Sequence, residues 1–349
     1  MAVPIRPNTV QRADPTDQGP SDSWPQRTLR AIDTAWRTFG IFAILAILVV
    51  ALTLATPKFL TTNNLFNVGG QVAVLGLISL GVLITVITGN IDLTVGALVG
   101  LSGCVLAIAG LRAPVIAGLR APVIVALLAG VALATLVGGI NGYLSTRGKN
   151  LSIIVTLAMM SILRGISLLI TNGRPVSGFA EALTWLGFTT IGGVPVSLLL
   201  LILVAAMVST FLSRTRLGRE FYAVGGNREA ARLVGIPVSR RVMLAFLLSA
   251  GLSVLAGLVF LGRVASAQPT AGVGMELNAI GAVLLGGASL NGGAGKVWNT
   301  LAGVFVLGLI NNGINLLNIR GFLAYVVIGL VILVAILSNR WERAAEISR

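Results

Sequence analysis

Histidine is absent from this 349-residue chain, and cysteine occurs once, at Cys104. The missing histidine removes the commonest general base and metal ligand. A lone cysteine can make neither an intrachain disulfide nor a metal cluster. Charge is scarce as well: 10% of residues are charged against 56% hydrophobic. That balance excludes an ordinary soluble domain, and an acid–base active site has little to draw on. Acidic residues are the scarcer sign, 11 against 25 Lys and Arg, for a formal net charge of +14. In a soluble chain such an excess would suggest nucleic acid. Here the arginines lie between long apolar runs, so the positive-inside rule accounts for them and no nucleic-acid partner is expected.

The apolar residues come in runs of membrane-spanning length. Residues 1 to about 37, rich in Pro, Asp, Gln, Ser and Arg, are expected to form a disordered cytoplasmic tail. They lack the pattern of a signal peptide. The predicted spans are then Thr38–Thr56, Leu65–Thr88, Ile91–Gly110, Pro122–Tyr143, Leu151–Thr171, Pro195–Ser213, Val242–Gly262, Glu276–Leu290, Val297–Leu317 and Gly321–Ser338. The expected fold is an all-α polytopic membrane protein of about ten transmembrane helices. Its permease domain covers 38–339, with a short cytoplasmic tail at 340–349. With the N-terminus inside, cytoplasmic segments carry Lys and Arg over outer ones by about three to one, which places both termini in the cytoplasm. Between the third and fourth spans LRAPVIAG is followed at once by LRAPVIVA, a tandem duplication in a loop tolerant of insertion.

Polar residues inside such a chain are the functional candidates. Asp92, between the second and third spans, either caps the N-terminus of the third or lies in a broken helix that lines a pathway. Arg164 either snorkels toward the interface or faces the pathway. Asn311 and Asn315, one helical turn apart, are uncharged hydrogen-bonding candidates for a pathway, though Asn also holds helices together in lipid. An internal echo relates Gly89-x-x-Asp92-Leu93-x-x-Gly96-Ala97 to Gly286-x-x-Ser289-Leu290-x-x-Gly293-Ala294. Gly295-Lys296 resembles the end of a phosphate-binding loop but fails the pattern: Leu290 stands where the leading Gly is required, and Val297 replaces the magnesium-binding Ser or Thr. If ATP drives this protein, another chain hydrolyses it.

The longest strongly charged stretch between apolar runs is 214–241, RTRLGREFYAVGGNREAARLVGIPVSRR. Asn227 is a suitable N-cap, Glu229 falls in the first turn and Arg232 near the last. Gly235 suits C′, and Pro237 stops continuation. A helix of about two turns, 228–234, is marginal alone and must dock on something. Ala230, Ala231, Leu233 and Val234 offer the apolar side for it. The plain alternative is an ordinary basic cytoplasmic loop.

These residues also carry a resemblance. GREFYAVGGNREAARLVGIPVSRR, the later SAQPTAGVGMELNAIGAVLLGGASLNGGAGKVWNTLAGVFVLGLINNGINLLNI, and the earlier GNIDLTVGALVGLSG and TNGRPVSG are similar to the ribose-type sugar permeases of bacterial ABC importers. The similarity runs from about Phe59 to Leu337. It implies a type II ABC importer permease fold in the bacterial inner membrane. It implies that Gly218, Glu220, Gly225, Gly226, Asn227, Glu229, Ala230, Arg232 and Gly235 shape the contact with an ATP-binding subunit. It further implies a periplasmic sugar-binding protein and a second permease copy or paralogue, with ATP and magnesium held by the partner and no cofactor here. The chain departs from the family pattern at Asn90, where glycine is usual, and around Ser152, where a proline is usual. A branched-chain amino-acid permease shares the architecture and is the nearest alternative. An ion-coupled secondary transporter would need ionisable groups mid-membrane. A membrane scaffold would explain the basic loop but not the many glycine-rich spans.

Overall fold

The computed structural model describes residues 24–112, 121–148 and 151–319, with isolated helical positions between 323 and 333. Residues 113–120 of the duplication, most of the predicted last span and both chain ends fall outside the described residues; the rest of the duplication lies in the third and fourth helices. Met1–Gly40 and Ile41–Arg349 form separate compact units.

The helices are α1 (Trp24–Ala55), α2 (Thr62–Ile87), α3 (Val95–Arg112), α4 (Ala121–Ser145), α5 (Leu151–Thr171), α6 (Trp185–Phe188), α7 (Val196–Arg214), α8 (Arg216–Gly226), α9 (Arg228–Leu233), α10 (Val238–Val264), α11 (Met275–Leu285) and α12 (Val297–Leu316). The first reaches back to Trp24, within the segment expected as a tail. The physical reason is local: Pro25 sits in the first turn, where its missing N–H costs nothing. No further proline interrupts the chain before Pro57.

Among the described residues six helices are long and apolar enough to cross a membrane: α2, α4, α5, α7, α10 and α12. Gly40–Ala55, Val95–Leu111 and Met275–Leu285 are shorter apolar helices. The structure thus shows a multi-span all-α membrane protein.

The core is built around α2, which is buried along most of its length from Val68 to Ile87. Helix α10 packs on α2, α3 and α4, while α11 and α12 close on α2 from another side. Small residues set the approach: a Cβ on Gly138 of α4 would lie 2.8 Å from the Leu247 Cα of α10. Only a glycine allows the two backbones so close, the usual device for packing helices in lipid. Helices α4, α5 and α7 turn exposed apolar side chains outward, among them Leu128, Val131, Ile154, Leu169, Leu203 and Met207. Such a surface fits hydrocarbon rather than water.

Candidate functional sites at the two ends of the bundle

The charged stretch folds as two short helices joined at Asn227. Helix α8 begins behind Thr215, whose hydroxyl accepts the Gly218 N–H at 3.0 Å. Asn227 caps α9, its side-chain oxygen accepting the N–H groups of Glu229 and Ala230 at 3.0 Å each. The other end closes as a Schellman motif. The Ile236 N–H donates to the Ala231 carbonyl and the Gly235 N–H to that of Arg232, both at 3.0 Å, with Gly235 at φ 80°. Caps at both ends hold six residues helical that would not stay so alone.

The loop residues singled out from the sequence divide into two groups. Gly218, Glu220 and Gly225 face inward. The Glu220 carboxylate is buried and accepts from Arg241 of α10 and, at 2.9 Å, from Arg216. The Arg241 guanidinium holds that carboxyl below the usual range, and Arg216 adds to the effect. A Cβ on Gly225 would run into the Ile87 carbonyl and the Gly293 N–H. The second group, Gly226, Asn227, Glu229, Ala230, Arg232 and Gly235, is exposed. Ala231 is the one buried residue of α9, packing with Val224, Val242 and Phe246. At the tip Leu233 and Val234 stand 87% and 75% exposed. Two large aliphatic side chains on a capped, charge-rimmed turn form an apolar knob.

Beneath this knob the two copies of the sequence echo meet. The Gly293 N–H donates to the Ile87 carbonyl at 2.9 Å. A Cβ on Gly292 (φ 90°) would lie 2.8 Å from the Cα atoms of both Gly225 and Gly89. Arg228 reaches from α9 to Asn90 Oδ1 at 2.9 Å and toward the Gly89 carbonyl at 3.4 Å. Tyr222 donates to the Gly295 carbonyl at 2.8 Å. The segments 88–94 and 289–295 are therefore the floor on which α8 and α9 rest.

Asp92 lies in that floor, but α3 starts only at Val95, so Asp92 is not its N-cap. Its Oδ1 accepts the Thr94 N–H at 2.9 Å and hydroxyl at 2.5 Å, and its Oδ2 accepts the Ser249 hydroxyl of α10 at 2.8 Å. Asn141 of α4 donates to Thr94 Oγ1 at 3.1 Å. The Asp92 side chain thus ties the segment before α3 to α10 and, through Thr94, to α4, as a fastening. The family departures border the same break: Asn90 receives Arg228, and the Ser152 hydroxyl accepts the Ile91 N–H at 3.4 Å.

The opposite end of α2 borders a cavity of about 640 Å³. From Gln71 to Ile87 is about 24 Å at helical rise. Its polar lining side chains include Asn67, Gln71, Arg263, Asn278 and Asn311, with Phe66, Phe188 and Phe260 among them. A two-residue hairpin forms part of the wall: Thr190–Ile191 pairs antiparallel with Val194–Pro195, and Gly192 and Gly193 both have positive φ, as a type I′ turn requires. A second cavity, about 630 Å³ between α4 and α10, has Thr135 as its one polar side chain.

Of the four sequence-predicted pathway residues only Asn311 lines the larger cavity. Asn315 is exposed. Arg164 turns inward rather than snorkelling, because Glu276 of α11 offers a carboxylate at 3.3 Å. Sequence reasoning missed Gln71, Arg263 and Asn278, each a single polar residue in an apolar helix face. It also missed the buried pair Asn64 and Asn312, whose amides exchange hydrogen bonds of 3.1 and 2.6 Å.

Residues 64–336 match the family described as branched-chain amino acid transport system / permease component. The ribose import permease protein of Bacillus subtilis (strain 168) is 42% identical over 320 residues, covering 89% of this chain and 95% of that protein. The chain belongs to this permease family. The L-arabinose transport system permease protein of Escherichia coli (strain K12) is 35% identical over 311 residues, 89% of this chain and 93% of its own. The D-allose transport system permease protein of the same strain is 35% identical over 306 residues, 87% and 92% respectively. No solved structure matches the chain.

The permease is thus a multi-pass protein of the inner membrane. Chemically it presents two distinct things: a rigid, capped knob outside the apolar bundle, and a hydrogen-bonding cavity within it. Buried α2 runs between them, with Gln71 in the cavity wall and Ile87 against Gly225 of α8 and Gly293, beneath the knob.

Proposed function

We propose that this permease carries a sugar, a pentose, hexose or similar polyol, across the bacterial inner membrane in an ABC importer. A periplasmic binding protein delivers the cargo, and ATP is hydrolysed by a separate subunit that docks on the knob at α9. Ten spans with both termini in the cytoplasm put that knob on the ATPase side and the 640 Å³ cavity on the periplasmic side. A second permease copy or paralogue completes the pathway. In this reading Gly226, Asn227, Glu229, Ala230, Arg232 and Gly235 shape the docking surface. Gly218, Glu220 and Gly225 seat it on the bundle.

The observation that carries this reading is the exposed pair Leu233 and Val234 on a turn capped at both ends. An apolar tip in water calls for a partner, and the caps let it transmit force instead of fraying. The cargo class follows the three sugar permeases. The cavity is consistent with it, because an amide-rich lining suits neutral hydroxyls and offers an amino acid's ammonium no carboxylate partner. Among the described residues Asp and Glu are absent from the lining. An ion-coupled mechanism is disfavoured because Arg164 and Glu276 neutralise each other and Asp92 is tied to Thr94 and Ser249.

The test is ATP-linked uptake in proteoliposomes holding the permease, its ATPase subunit and the binding protein. Omitting the ATPase should abolish uptake, and collapsing the proton gradient should leave it unchanged. The reverse pattern would contradict the reading.

A further inference from the structure

The cavity at the start of α2 holds polar groups that the protein itself leaves unsatisfied. The side-chain amides of Gln71 and Asn278 make no hydrogen bond among the described residues, and Asn311 uses only its Nδ2, on the Leu307 carbonyl at 3.2 Å. Arg263 is more unusual. Its guanidinium lies over Gly70, where a Cβ would be 3.2 Å from Nε, and among the described residues its one partner is the Asn67 carbonyl at 3.5 Å, the outer limit of a hydrogen bond. The carboxylate nearest its site in sequence, Glu276, is turned onto Arg164. These groups converge on one cavity and are not engaged by the protein, which leaves them open to water or to a ligand, the pattern of a binding site. Phe66 and Phe260 add apolar faces between these groups.

We infer that this cavity is a cargo station inside the permease, taking a neutral polyhydroxylated ring, and that Arg263 makes it reject cationic sugars. The inference rests on the sugar-import reading and adds a specificity step to it. The amides of Gln71, Asn278 and Asn311 can each give and receive a hydrogen bond, as hydroxyls do. The guanidinium donates only, in a fixed fork that fits neighbouring oxygens. An apolar ring face packs on phenyl carbons. An ammonium-bearing sugar would meet an uncompensated like charge with no carboxylate to offset it. The permease therefore filters by charge, independently of the binding protein.

The experiment uses the full-length permease in nanodiscs with Met275→Cys, a cavity-lining position. Native Cys104 is buried and serves as the unreactive background. A small thiol reagent reports access. D-allose should slow modification, and its 2-amino-2-deoxy counterpart should not. Adding Arg263→Gln should weaken allose protection about tenfold, the scale of one charge-assisted hydrogen bond, and remove discrimination against the amino sugar. Arg263→Lys, which keeps charge but loses the fork, should retain the discrimination. Equal protection by both sugars in the parent, or protection indifferent to Arg263→Gln, would overturn the inference. If Arg263→Gln does not insert, Asn278→Ala is read in its place: unchanged allose protection would count against the station. Wild-type ATP-linked uptake is measured in parallel. Uptake present with no protection sinks the station alone, whereas absent uptake sinks the import reading.

Discussion

Arg228, the first residue of α9, donates to the side-chain oxygen of Asn90 at 2.9 Å. The contact fastens the exposed turn to the break between α2 and α3. Asn90 is itself held by Thr88, donating to its carbonyl at 3.1 Å and its hydroxyl at 3.0 Å. The contacts thus link the first residue of α9 to the end of the central helix.

That contact should be visible as thermodynamic coupling. Arg228→Ala and Asn90→Gly should each lower ATP-linked uptake, and the double variant should be little worse than either alone. A double-mutant cycle on uptake and thermal stability should return an interaction of about 0.5–3 kcal/mol. Simple additivity would mean that the hydrogen bond transmits nothing.

The adjacent glycines Gly225 and Gly226 should behave oppositely. A methyl group at Gly225 would strike the Ile87 carbonyl, whereas a Cβ at Gly226 meets nothing within 4 Å. Gly225→Ala should destabilise the protein by about 1–3 kcal/mol, as overpacking does. Gly226→Ala should leave stability unchanged, and Gly226→Trp should insert normally yet block ATP-linked uptake. Melting in detergent and uptake in vesicles separate these effects.

Glu220 supplies a pH dependence with a defined sign. Its carboxyl is held below the usual range by Arg241 and Arg216. A carboxyl with a depressed folded pKa contributes stability above its unfolded value, about 4.3, and loses it as pH falls through the folded value. Wild type should melt above Glu220→Gln near pH 7, and the gap should narrow progressively below about pH 4. A gap independent of pH would show that the carboxylate's charge does not hold α8 to α10.

Arg164 and Glu276 offer a test of charge burial. Their side chains are 23% and 10% exposed, so removing one partner strands the other. Each of Arg164→Gln and Glu276→Gln should cost more than the double replacement, single losses at such sites running to about 3–5 kcal/mol. Thermal melting of the three variants decides it. A double variant as damaged as the sum of the two singles would contradict the pairing.

Much of the bundle was legible because membrane spans are written in long apolar runs. The Leu151–Thr171 span coincides with α5, and the predicted 228–234 turn ends one residue late. The caps at Asn227 and Gly235 were readable because capping chemistry is local. The settings of Asp92 and Arg164 were not readable, for the opposite reason. Which way a polar residue in an apolar segment turns depends on partners such as Ser249 and Glu276, more than a hundred residues away. Arg263 and Gln71 left no pattern at all, since isolated polar residues become a site only when helices bring them together. The echo at Gly89 and Gly286 acquired meaning in the same way, as two loops meeting under Gly225.

The central claim is that ATP-derived force enters through the exposed face of α9. Its most direct test is sugar uptake by vesicles of the assembled importer carrying Glu229→Arg, which reverses an exposed charge on the knob and touches no buried group. The expected result is normal insertion with uptake abolished and ATPase co-purification impaired. Uptake at the wild-type rate would contradict the account.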